Sequence, residues 1–130
     1  MYEILVPLDD PDRADKQIES ILDMPLQMDE VRVTLLHVFT DNPEGASVGQ
    51  IESVHEAQDL LDDAGVETNL IERSGDPSTE IVEAARDLDA DLIALAGRSR
   101  SPTGKAVFGS TTQRVILEAE RPVVVQSVSE

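Results

Sequence analysis

The sequence predicts one three-layer α/β/α domain spanning residues 1–130, built on a five-stranded parallel sheet. Two observations lead there. Apolar runs alternate with amphipathic stretches in the order β-α-β-α-β-α-β-α-β, and short connections between them require right-handed helical crossovers that return each strand in the same direction. Several strand segments are also apolar at nearly every position, as strands covered by helices on both faces must be. A chain of 130 residues is long enough to bury roughly 70% of its unfolded surface. Apart from Tyr2, Phe39 and Phe108 it has no aromatic residue, so the core is aliphatic.

Each element carries its own signal. Ile4-Leu5-Val6 is the first strand, ended by Pro7-Leu8-Asp9-Asp10. Pro11, at a first helical position behind the cap Asp10, opens a helix with Ala14, Ile18, Ile21 and Leu22 on one face. Met24 and Met28 flank a turn and plug the seam between helix and sheet. Val31 to Phe39 is the second strand, followed by a loop over Asp41 to Gly49. Ile51, Val54, Ala57, Leu60, Leu61 and Ala64 recur at helical spacing, and Gly65 is the stop. Val66 to Ile71 alternates only partly, which places this third strand nearer an edge. Asp76-Pro77 repeats the cap-plus-proline start ahead of Ile81, Ala84, Ala85 and Leu88. Leu92 to Ala96 is a fully apolar fourth strand. Ser110-x-x-Gln113 reads as a capping box opening a helix with Val115, Ile116 and Ala119, and Pro122 to Val125 is the last strand.

Charge divides the chain. Residues 1–97 hold 24 acidic against five basic side chains, whereas residues 98–130 hold three against five. The formal net charge of −17 argues against nucleic-acid or anionic-membrane binding. Lys16 and Lys105 are the only lysines, a pattern of carboxylates without lysine that suits high salt. No cysteine, no long apolar run and no leader pattern point to a cytoplasmic protein without disulfides or thiolate metal sites. The densest cationic stretch is Gly97-Arg98-Ser99-Arg100-Ser101-Pro102-Thr103-Gly104-Lys105, read as a loop that runs into Gly109-Ser110-Thr111 at a helix start. Cations, pliable backbone and a helix N-terminus form a cradle for an anion, phosphate above all. It follows a strand at its carboxyl end, where open parallel sheets bind ligands.

Three familiar α/β chemistries fit less well. There is no G-x-G-x-x-G after the first strand, and Gly104-Lys105-Ala106 lacks the first glycine and the hydroxyl of a P-loop. A phosphoacceptor domain finds Asp9-Asp10 for Mg²⁺ but Glu72-Arg73 and Gln126-Ser127 where it needs Asp and Lys. No nucleophile–base–orienter set is present. His37 reads as a satisfied strand histidine, His55 as a solvated one, and Asp62-Asp63 as a solvated helix face.

The whole chain resembles the universal stress protein family. The matching segments are Ile4-Leu5-Val6-Pro7-Leu8-Asp9, Leu35-Leu36-His37-Val38, Asp91 to Gly97, Phe108-Gly109-Ser110 with Arg114-Val115, and Arg121-Pro122-Val123-Val124-Val125. The resemblance implies strand order 3-2-1-4-5 in an adenine nucleotide alpha-hydrolase-like fold. It also implies a homodimer through the Pro122–Val125 edge and, in many members, ATP with Mg²⁺. Residues carried over for nucleotide binding are Pro7, Leu8, Asp9, Val38, Gly97, Arg98, Arg100, Gly104, Lys105, Gly109, Ser110 and Thr111. Relatives that bind ATP read G-x-x-G, nine residues, then G-[ST]. Counting back from Gly109 places Ala96 and Ser99 at the loop glycines, and shifting the frame recovers Gly97 but leaves Arg100 in the second place. Two functions therefore stand side by side. One is a nucleotide-binding stress regulator with at most slow ATP hydrolysis; the other is a dimeric adaptor for unknown protein partners that binds no nucleotide.

Overall fold

A computed structural model describes residues 1–8, 11–39, 52–99 and 109–129. Its elements are β1 (Tyr2–Pro7), α1 (Pro11–Leu22), β2 (Val31–Phe39), α2 (Glu52–Asp63), β3 (Glu67–Ser74), α3 (Pro77–Leu88), β4 (Leu92–Ser99), α4 (Ser110–Glu118) and β5 (Val123–Ser129), with a 3₁₀ turn at Met28–Glu30. The strands form one parallel sheet in the order β3-β2-β1-β4-β5.

Side-chain alternation sorts the apolar residues onto the two faces. Ile4 and Val6 of β1, Val33 and Leu35 of β2, and Leu92 and Ala94 of β4 pack against Ala14, Ile18 and Ile21 of α1 and Val54, Ala57 and Leu61 of α2. Met24 and Met28 pack against the same cluster, filling the seam as their positions suggested. Leu5, Leu36, Ile93 and Leu95 face the other way, against Ile81, Ala84 and Ala85 of α3 and Val115 and Ala119 of α4. Each fully buried aliphatic side chain stabilises the fold by about 1.5–3 kcal/mol.

Helix ends follow local chemistry. Gly65 takes φ +75°, and Val66 N–H donates to Leu61 O at 3.0 Å, closing α2 in the left-handed turn that glycine permits. Asp76 caps α3, its carboxylate accepting from Thr79 N–H at 3.1 Å, with Pro77 in the first turn. Arg121 ties the far ends of α3 and α4 together. Its Nη1 donates to Ala85 O at 2.9 Å and Ala90 O at 2.8 Å, and its Nε to Ala119 O at 3.2 Å. At the amino side of the sheet the buried Glu3 carboxylate accepts from Thr34 Oγ1 at 2.6 Å and Arg32 Nε at 2.9 Å. That hydrogen bond and the Glu3 charge hold the Arg32 pKa above its ordinary value.

Three boundaries differ from the sequence reading. β3 runs on to Ser74 and β5 to Ser129, although Glu72-Arg73 and Gln126-Ser127 carry no apolar signal, because backbone pairing with β2 and β4 sustains them. β4 likewise extends through Gly97, Arg98 and Ser99, paired to Ser127, Val128 and Ser129, so these three residues are strand and not the start of a loop. The capping-box reading of Ser110 is corrected as well. Gly109 is the cap residue and Ser110 is the first residue of α4. Among the described residues no helix is long and apolar enough to cross a membrane.

Candidate functional site

β1 and β4 part company at the carboxyl rim of the sheet. β1 stays paired to β2 as far as Pro7 opposite Leu36, but meets β4 only at Ile4 opposite Leu92 and Leu5 opposite Ile93. β4 continues alongside β5 to Ser99. This is the point where the strand order reverses, and a crevice outside the strand ends is the usual ligand position in such sheets.

Where β4 no longer pairs with β1, side chains add to the pairing with β2 in holding the backbone. Gln17, 2% exposed on α1, donates from Nε2 to Pro7 O at 2.7 Å and to Ala94 O at 3.0 Å, spanning the gap from β1 to β4. His37 Nδ1 lies 3.1 Å from Leu8 O, and Leu8 N–H donates to Leu36 O at 2.8 Å. The His37 ring meets Phe39 edge-on, with centroids 4.5 Å apart and planes at 74°.

The helices run antiparallel to the strands they connect, so the N-termini of α3 and α4 face the same carboxyl rim. They are equipped differently. At α3 the Asp76 carboxylate fills the helix end, accepting from Thr79 N–H, Ser78 Oγ and Thr79 Oγ1. The Ser78 hydroxyl foremost, then Thr79 N–H and hydroxyl, with Arg114 Nη1 at 3.6 Å, hold the Asp76 pKa below the ordinary aspartate value. At α4 the cap is Gly109, which has no side chain to offer. It adopts φ −65° and ψ 167°, and a Cβ built there meets no described atom within 4 Å. Among the described residues no side chain caps this helix end, and a helix N-terminus carries partial positive charge that favours an anion.

Of the residues singled out in the sequence, Pro7 ends β1, Leu8 is buried just beyond it, and Val38 is half-buried near the end of β2. Gly97 is buried within β4, Arg98 follows it in the strand, and Gly109 and Ser110 are exposed with Thr111 half-buried at the start of α4. The structure therefore gathers the ends of β1, β2 and β4 and the start of α4 on one rim. Asp9, Arg100, Gly104 and Lys105, and the side chain of Arg98, lie outside the described residues, as do the cap Asp10 and the 41–49 loop. Gln17 and His37 escaped the sequence reading as site residues. Gln17 carries one usable signal: a polar side chain in line with Ala14, Ile18 and Ile21 on an otherwise apolar helix stripe.

At the opposite pole, the amino ends of the strands frame a depression of about 570 Å³ lined by Met1, Tyr2, Pro25, Leu26, Gln27, Asp29, Glu30 and Val31. Its charged side chains are acidic, which disfavours an anionic ligand there.

Comparison with known proteins agrees with this architecture. The model of the universal stress protein family matches residues 1–126. Universal stress protein Sll1654 of Synechocystis is 31% identical over 131 residues, covering 94% of this chain and 83% of that one. A universal stress protein of Mycolicibacterium smegmatis is 36% identical over 72 residues, and the match spans about half of each, 55% of this chain and 55% of that one. The solved universal stress protein from Archaeoglobus fulgidus superposes with a TM-score of 0.72 at 29% identity, covering 96% of this chain and 98% of that one. A family protein of Arabidopsis thaliana, solved with AMP bound, has the same fold at a TM-score of 0.71 and 16% identity, covering 98% and 92%. With a family match running from the first residue to within β5, the chain belongs to the universal stress protein family.

Proposed function

We propose that this protein is a stress regulator that binds an adenine nucleotide, ATP with Mg²⁺, in the crevice where β1 and β4 part. In this reading the backbone near Leu8 and Val38, together with Asp9, holds the adenosine. Gly97, Arg98, Arg100, Gly104, Lys105, Gly109, Ser110 and Thr111 surround the phosphates. The observation that carries it is the glycine-capped N-terminus of α4 facing the rim of that split. The AMP-bound Arabidopsis relative with the same fold supports it. The protein acts as a cytoplasmic homodimer through β5, an edge strand in the single chain. Ile116 and Leu117, 47% and 81% exposed on the adjoining α4, supply apolar surface for the same contact. In this reading the protein works by binding, with hydrolysis at most slow.

Gly109→Val tests the site cleanly. Its backbone angles suit any residue and no described atom lies within 4 Å of a Cβ built there, so the variant is expected to fold while the branched side chain occupies the approach to the helix end. Calorimetric titration with ATP and Mg²⁺ in high salt gives stoichiometric heat for the parent dimer and none for the variant. Equal heats from both proteins contradict the site.

One observation favours the adaptor reading. Gly97 lies in a paired strand opposite Ser127 rather than in a glycine-rich turn of the kind the resemblance implies. A dimer by light scattering that gives no heat at millimolar ATP selects that alternative.

A further inference from the structure

We propose that His37 is a positioning residue for the nucleotide crevice. Together with Gln17 it clamps the two consecutive carbonyls, Leu8 O and Pro7 O, at which β1 leaves the sheet. The proposal rests on the nucleotide reading above and adds how the site is held ready. A carbonyl oxygen only accepts, so as a hydrogen bond the 3.1 Å contact requires a proton on Nδ1. Phe39, edge-on at 4.5 Å, fixes the ring plane. Gln17 reaches Pro7 O from α1, so the two grips come from different elements. They are needed because β4 has already separated: its last pair with β1 is Leu5 opposite Ile93, two residues before Pro7. Without these side chains, β2 alone among the described residues would bond the backbone at the switch point. A segment held before the ligand arrives does not have to be ordered on binding, and affinity rises accordingly.

The test compares His37→Leu, which removes the donor, with His37→Asn, whose amide nitrogen sits near the place of Nδ1, in the full chain. AMP and ATP are titrated by calorimetry, and amide hydrogen exchange is followed by NMR. In His37→Leu, affinity falls roughly three- to tenfold, the equivalent of one neutral hydrogen bond. Exchange of the Leu8 amide quickens while amides of Val33 and Leu70 keep parental rates. His37→Asn restores both, and nitrogen shifts of the parent place the ring proton on Nδ1.

Unchanged Leu8 exchange with parental affinity in His37→Leu overturns the clamp while leaving the nucleotide reading intact. Faster exchange spread evenly over the whole sheet also overturns it, since that marks general stability rather than positioning. A parent that binds neither nucleotide removes the nucleotide reading and the positioning role with it. The exchange data then report separately on whether His37 holds Leu8.

Discussion

Gln17→Leu probes the strut across the β1–β4 split. Both N–H bonds of the carboxamide are used, one on Pro7 O at 2.7 Å and one on Ala94 O at 3.0 Å, and the side chain is 2% exposed. Leucine fills a similar volume, so the change removes donors without opening a large cavity. Each neutral hydrogen bond is worth about 1 kcal/mol net, which puts the loss near 2 kcal/mol. Two carbonyls deprived of a donor push the figure up, and the apolar gain of leucine pulls it down. For a domain of this size about 2 kcal/mol corresponds to a drop of roughly 8 °C in Tm. Urea unfolding followed by circular dichroism in high salt reads the loss as a lower midpoint at unchanged slope. Gln17→Glu sharpens the test. Its ionised carboxylate presents only acceptors to two carbonyl oxygens, so it costs more than leucine at neutral pH and recovers as acid supplies an O–H donor. A leucine variant within about 0.5 kcal/mol of the parent, the scatter of ordinary surface changes, would refute the strut.

Two further outcomes follow from named contacts. Arg121→Met removes donors to Ala85 O, Ala90 O and Ala119 O from a largely buried guanidinium. It lowers stability by about 2–3 kcal/mol in urea unfolding, and Arg121→Lys restores only part because an ammonium lacks the planar fork. The Asp76 carboxylate, its pKa held down chiefly by the Ser78 hydroxyl, contributes stability that is full above the unfolded aspartate value of about 3.9 and is lost as pH falls through the lower folded value. The stability gap between parent and Asp76→Ala, measured by thermal melts across acid pH, is therefore constant near neutrality and closes below about pH 4. A gap that widens on acidification contradicts that sign.

Much of the fold is legible because burial writes a period into the sequence. The stripe of Val54, Ala57 and Leu61 with Gly65 behind it gives α2 and its end, and Asp76-Pro77 gives the start of α3. Legibility fails where backbone pairing decides. Gly97-Arg98-Ser99 has the composition of a loop, yet β5 holds it as strand. Ser110-x-x-Gln113 satisfies the capping-box pattern, yet the chain turns one residue earlier and Gly109 takes the cap. A one-residue shift is invisible to the pattern but decides whether the cap residue brings a hydroxyl or no side chain at all. The ends of β1, β2 and β4 and the start of α4 do meet on one rim, as the order of strands and helices implied. The supports of that rim were not legible, because Gln17 and His37 act on backbone oxygens, and no residue type advertises which carbonyl it will meet.

The most direct test is an amide NMR titration of the full chain with ATP and Mg²⁺ in high salt. Ligand-induced shifts are predicted at Leu8, Val38, Gly97 and Gly109 to Thr111, with Tyr2, Leu26 and Val31 at the opposite pole unmoved. Shifts confined to that opposite pole, or no shifts at millimolar nucleotide, would contradict a nucleotide site where β1 and β4 separate.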